Sequence, residues 1–126
     1  MVAEEPHQWS DILAAHTGEV SALARRLRAA ALAALPDLTE RVYPGWQGLG
    51  LRHPTAGLIA TIFARDAEVV VYLERGATLP DADGVLEGDG RLRRTRTITF
   101  RPDLATPSAE QLVAYLDLAV EHAGGG

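Results

Sequence analysis

The hydrophobic period of the chain changes twice, and that switch limits the folds open to it. Between Thr17 and Leu35, the apolar residues Val20, Leu23, Ala24, Leu27, Ala30, Ala31 and Ala34 recur at three- and four-residue spacing. This predicts an amphipathic helix, capped by Thr17 and stopped by Pro36. Leu58–Phe63, Glu68–Leu73 and Leu92–Phe100 are short, rich in apolar or β-branched residues, and bounded by Gly, Pro or Asp, as strands are. The link Arg65-Asp66-Ala67 is short enough to require an antiparallel hairpin. A further strand is expected near Leu49–His53. A helical turn is expected over Asp37–Glu40, where an acidic cap stands three residues before a glutamate. Helical spacing returns with Leu112, Val113, Leu116, Ala119 and Val120, after Thr106 as a cap and Pro107 at the first helical position. A weaker stripe of Trp9, Ile12, Leu13 and His16 suits a short leading helix.

Helices on either side of a run of strands define the α+β class. The expected architecture is one antiparallel sheet of about three to five strands, with N-terminal and C-terminal helices packed on one face. At 126 residues the chain has the size of one domain, residues 1–126.

Composition removes several chemistries. The chain has no cysteine, which excludes disulfides, thiolate metal sites and a cysteine nucleophile. All 12 basic residues are arginine, so no lysine is present for a Schiff base or a P-loop. The net charge of −5 argues against nucleic acid as a partner. The first residues carry no basic, apolar leader, and no apolar run approaches the ~20 residues of a membrane span. A soluble, cytoplasmic protein with no membrane partner is expected, its oligomeric state left open.

Three constellations are candidates for a site. Asp81, Asp83, Glu87 and Asp89 lie in one Gly-rich segment. Their oxygens suit a hard cation, though not at the spacing of an EF-hand; the same residues also serve as turn formers in a solvated loop. Arg94 and Arg96 follow, and strand parity places them on one face with Ile98 and Phe100. There they bind a carboxylate or phosphate bidentately, or else pair with loop acids. Tyr43, Trp46 and Tyr72, with Arg52 and His53 nearby, form an aromatic group suited to lining a pocket. The four histidines are far apart, no nucleophile stands beside a base, and no catalytic residue is assigned. No metal ligand or cofactor is assigned either.

The segments Tyr43-Pro44-Gly45-Trp46, Gly57–Phe63, Val69–Leu73 and Gly76–Gly88, followed by the arginines at 93–96, resemble the YdhG-like domain-of-unknown-function family. The resemblance spans about residues 18–120. Its most specific part is the Gly-Ala-x-Leu-x-Asp-x-Asp-Gly-x-Leu-Glu-Gly loop. It implies a small bacterial α+β protein, and one branch of the family is described as frataxin-like iron chaperones. From the Arg94/Arg96 parity, the aromatic turn and the absence of a catalytic constellation, the expected function is a non-enzymatic binding protein for a small anionic ligand or a protein partner. The expected ligand-binding residues are Tyr43, Trp46, Arg52, His53, Tyr72, Arg94 and Arg96. The alternative is an iron-binding, iron-delivery protein using the acidic loop.

Overall fold

A computed structural model describes residues 4–88 and 94–125 of the chain. The elements run α1 (His7–Ala14), α2 (Gly18–Ala34), β1 (Thr39–Tyr43), β2 (Gly48–His53), β3 (Gly57–Ala64), β4 (Val69–Leu73), a 3₁₀ turn (Gly76–Thr78), β5 (Arg96–Phe100) and α3 (Ala109–Gly125). The five strands form one antiparallel meander in the order β1-β2-β3-β4-β5. The expected α+β architecture is what the chain adopts.

Period-two alternation sorts the strand residues onto two faces. Registered pairs Leu49–Ile62, Ile62–Val71 and Val71–Ile98 carry one row across the sheet. That row is fully buried. The helices cover it, contributing Trp9 and Leu13 from α1, Leu27 and Ala31 from α2, and Leu112 and Leu116 from α3. An antiparallel sheet tolerates this one-sided covering, because its other face can meet water. Among the described residues, no helix lies on that other face, and none is long and apolar enough to cross a membrane.

Local signals account for most boundaries. Thr17 caps α2 as expected, its Oγ1 accepting from the Val20 amide at 3.2 Å. The Ser21 hydroxyl donates to the Leu13 carbonyl at 2.8 Å, tying the end of α1 to the start of α2. The start of α3 corrects the expectation. Ser108 is its cap: Ser108 Oγ accepts from the Gln111 amide while Gln111 Oε1 accepts from the Ser108 amide. This reciprocal pair satisfies two free amide groups at once, so the helix begins at Ala109, beyond Pro107.

Asp37–Glu40 is a second correction. Thr39 and Glu40 begin β1, paired with Arg52 and Leu51. Glu40 falls on the helix-covered face, where its carboxylate receives Arg28 of α2. Arg28 Nη2 donates to Glu40 Oε1 at 2.8 Å and to the Glu4 carbonyl. The side chains of Arg28 and Glu40 are only 6% and 12% exposed. A hydrogen bond to Glu40 raises the Arg28 pKa above its ordinary value, outweighing the burial that would lower it. Next to it, Glu5 receives Arg25 and Ser10. Burial pushes the Glu5 carboxyl up, but these hydrogen bonds together hold it below its usual value. The pairs pin α2 and the N-terminal segment to the β1 edge.

Removing one member of a buried ion pair strands the other charge. Glu40→Ala is therefore expected to lower the unfolding free energy by about 3 kcal/mol in urea titrations. The double replacement Arg28→Met with Glu40→Leu is expected to recover most of that loss. A Glu40→Ala loss below about 1 kcal/mol, the range of an exposed pair, would contradict the placement.

Candidate functional site

The face left uncovered is built around two glycines. Tyr43 pairs with Gly48 and Arg41 with Gly50; on the other side of β2, Gly48 meets Phe63 and Gly50 meets Thr61. A Cβ on Gly48 would stand 2.7 Å from the Phe63 ring. One on Gly50 would stand 2.7 Å from the Tyr43 ring and 3.2 Å from Leu58. The missing side chains let neighbouring rings fold down across β2. The result is an open groove of about 590 Å³, floored by Tyr43, Leu58, Thr61, Phe63 and Tyr72.

One end of the groove is set by the turn between β1 and β2. Trp46 donates its amide to Tyr43 at 3.1 Å, Gln47 donates to Pro44 at 3.2 Å, and Gln47 takes a left-handed φ of 56°. This turn holds Trp46 stacked on Tyr43, centroids 5.2 Å apart, while leaving it 67% exposed. Phe63 and Tyr72 meet edge to face at 4.9 Å. These contacts fix the floor before any partner arrives.

Charge is placed at the rim. The Arg65 guanidinium lies 5.0 Å from the Phe63 ring centre, and that of Arg41 5.3 Å from the Tyr43 ring. Among the described residues, neither has a carboxylate within salt-bridge distance. The backbone of Arg65 is held twice: its amide donates to the Glu68 carbonyl at 2.8 Å, and its own carbonyl lies 3.0 Å from His16 Nδ1. Glu74 lines the opposite end, its amide bonded to the Ile59 carbonyl.

Three of the seven residues expected from sequence, Tyr43, Trp46 and Tyr72, come together here. Arg52 lies exposed on the same face, paired with Thr39 and Leu58, outside the groove lining. His53 holds the backbone instead of lining the groove. Its Nδ1 accepts from the amides of Thr55 and Ala56, closing the turn between β2 and β3.

Arg94 and Arg96 do not join the aromatic group. Leu73 pairs with Arg96 and Tyr72 with Thr97, so Arg96 belongs to the helix-covered face. The expected parity of Arg96 with Ile98 and Phe100 holds, but β5 starts at Arg96 and Arg94 precedes it in an exposed bend. Arg96 is packed under the preceding loop: a Cβ on Gly76 would stand 2.6 Å from its Cβ, and one on Gly88 2.9 Å from its Nε. Its Nη1 donates to the Thr95 carbonyl at 2.9 Å. The expected start of the strand at Leu92, and Asp89 of the acidic segment, lie outside the described residues.

Of the remaining acids of that segment, Asp81 and Asp83 have partners for their carboxylates, and Glu87 is held through its backbone. Tyr115 of α3 donates to Asp81 Oδ1 at 2.6 Å, and the amides of Val85 and Leu86 donate to the same carboxylate. Gln111 donates to Asp83 at 3.1 Å, and the Glu87 backbone pairs with Thr97. The Tyr115 hydrogen bond holds the Asp81 carboxyl below its usual value, helped by the loop amides. Burial, then the bond to Asp81, pushes the Tyr115 phenol up. Among the described residues, no group of three His, Asp or Glu side chains is placed to hold a metal ion.

Sequence reasoning missed Leu58, Thr61, Phe63, Arg65 and Glu74. The signal was present as Gly48 and Gly50 two apart on a strand, opposite an aromatic two residues from a threonine. Comparison with family models, with curated proteins and with solved structures finds no significant match to this chain.

Two outcomes follow from this geometry. Gly50→Ala is expected to lift Tyr43 from β2, costing about 1–3 kcal/mol as overpacking does and abolishing nuclear Overhauser contacts between Tyr43 and Leu58. Retention of those contacts at unchanged stability would contradict the packing. For Asp81 the fold favours the ionised form. Its stabilising contribution is present above about pH 4, the unfolded value, and is lost as pH falls through the depressed folded value. In Tyr115→Phe the Asp81 carboxyl should titrate at higher pH than in the wild type by carbon NMR. An unchanged titration would contradict the role of Tyr115.

Proposed function

We propose that the chain is a non-enzymatic binding protein whose uncovered sheet face is its docking surface. The observation that carries this reading is the aromatic groove lined by Arg65, with Arg41 beside its Tyr43 ring, neither guanidinium having a carboxylate partner among the described residues. Apolar rings supply area, and desolvation of the floor drives association. The guanidiniums select an occupant with negative charge beside its apolar part.

Between a small anion and a protein partner, shape favours the protein. Small-molecule sites enclose most of the ligand surface. Here a floor is present, but Trp46 at the rim is 67% exposed, as an anchor for a large surface is. The family resemblance is compatible with this reading and adds no ligand. The iron-delivery alternative loses its main support where Asp81 and Asp83 are occupied by Tyr115, loop amides and Gln111.

The test uses anilinonaphthalene sulfonate, an apolar anion, as the probe of the surface. Amide shifts on titration are expected to cluster at Tyr43, Trp46, Phe63, Arg65 and Tyr72. Trp46→Ala and Arg65→Ala should each weaken the dye about fivefold, within the range of one aromatic or charged contact. Arg96→Ala should not. Shifts clustered around Arg94 and Arg96, or no shifts on the folded chain, would overturn the proposal.

A further inference from the structure

The uncovered face is basic, although the chain is acidic. Strand parity puts Arg41 of β1 and Arg52 of β2 on this face, and Arg65 lies in the turn after β3. All three are exposed. Among the described residues, none of them has a carboxylate within salt-bridge distance, and no hydrogen bond engages their guanidiniums. Arg101, beyond β5, differs: Glu68 holds it at 3.4 Å. The acid lining the groove is Glu74. Counting the three free bases and Glu74, the face stands at +2; with a chain total of −5, the rest of the chain carries −7.

Two of these charges are held ready. Tyr43 and Phe63 flank Gly48 in one registered row, two strand spacings or about 10 Å apart along the backbone. The Arg41 guanidinium lies over the first ring and that of Arg65 over the second. A ring holds a guanidinium by its flat side and takes none of its N–H donors. The two donor forks are therefore positioned but unbonded. A planar carboxylate offers two oxygens that match such a fork. Arg52 stands diagonal to Arg41 across β1 and β2, so a third guanidinium lies one row away.

Phosphate oxygens match the fork as well, and the rest of the surface decides between the two sources. Nucleic-acid bases stack on free ring faces. Here guanidiniums already lie over Tyr43 and Phe63, and Trp46 is stacked on Tyr43. A long polyanion also meets the negative charge of the remaining surface, whereas a short acidic segment meets the basic face alone.

We infer that the uncovered face docks an acidic segment of a partner protein, with its carboxylates on the forks of Arg41 and Arg65 and on Arg52, and its apolar side chains against Trp46 and Leu58. This rests on the docking reading above and names the chemistry of the partner. The rings supply contact area, and the three arginines supply the choice of partner and an on-rate that falls with salt.

The test uses the intact chain, isotope-labelled, and a synthetic peptide repeating Glu-Leu-Gly four times. A second peptide carries Gln for every Glu. The acidic peptide should shift the amides of Tyr43, Trp46, Arg52, Phe63 and Arg65. The Gln peptide should bind at least about tenfold more weakly, since several pairs are lost at once. Raising salt from about 20 mM to about 500 mM should remove most of that difference. Arg41→Gln, Arg52→Gln and Arg65→Gln should each weaken the acidic peptide about three- to fivefold, the range of an exposed ion pair. Arg94→Gln should change nothing.

Equal binding of the two peptides, a difference insensitive to salt, or shifts placed away from this face would overturn the acidic partner. Oligothymidylate mapping to the face more tightly than the acidic peptide would overturn it in favour of nucleic acid. Tricarballylate binding there as tightly as the peptide would overturn it in favour of a small anion. In each case, the anilinonaphthalene dye still mapping to the face leaves the docking reading standing. If the dye fails to map there, that reading falls as well.

Discussion

An antiparallel strand presents alternate side chains to two faces, and the helices of this chain cover one of them. That asymmetry governs everything else in the molecule. On the covered side, Leu49, Ile62, Val71 and Ile98 line up across four strands and close against α1, α2 and α3. On the other side the sheet carries Tyr43 of β1 with Thr61, Phe63, Tyr72 and Thr97. A core of this size does not require the second face to be buried. What stands there is free to be chosen for contact with something else.

The glycines of β2 turn that freedom into a shape. A strand centre normally disfavours glycine, yet Gly48 and Gly50 sit where rings from β1 and β3 cross over them. The local loss of strand propensity is offset by ring-on-backbone packing that no residue with a Cβ would permit. The β1 edge, which carries Tyr43 and Arg41, is in turn anchored through Glu40 to the buried Arg28 of α2. One ion pair on the covered side thus positions the strand that shapes the uncovered side.

The sequence discloses the elements well because they obey simple periods. The α2 helix, its Thr17 cap, the β3–β4 hairpin and the C-terminal helix all follow from spacing and turn residues. It misleads where one local signal has two uses. Asp37-Leu38-Thr39-Glu40 reads as a helix start, but pairing with β2 makes Thr39 and Glu40 strand. Thr106-Pro107 reads as a cap, but the Ser108–Gln111 pair is the stronger one. The site is legible only in part for a different reason. Parity within one strand correctly puts Arg96 with Ile98 and Phe100. It says nothing about which residue of β4 lies opposite, and the register Leu73–Arg96 and Tyr72–Thr97 puts the arginine and the aromatics on opposite sides. Register is set by turn geometry and by which face is covered, and neither is visible along a single strand.

The openness of the second face can be read directly, because the chain has two tryptophans and the fold treats them oppositely. Trp9 is fully buried, Tyr115 nearly so, and Trp46 mostly exposed. Photochemically induced nuclear polarisation with a flavin dye enhances only aromatic rings that the dye can touch. In the free protein Trp46 is expected to be strongly polarised, with Trp9 and Tyr115 silent. A silent Trp46, or a Trp9 polarised as strongly, would contradict a sheet covered on one face and open on the other.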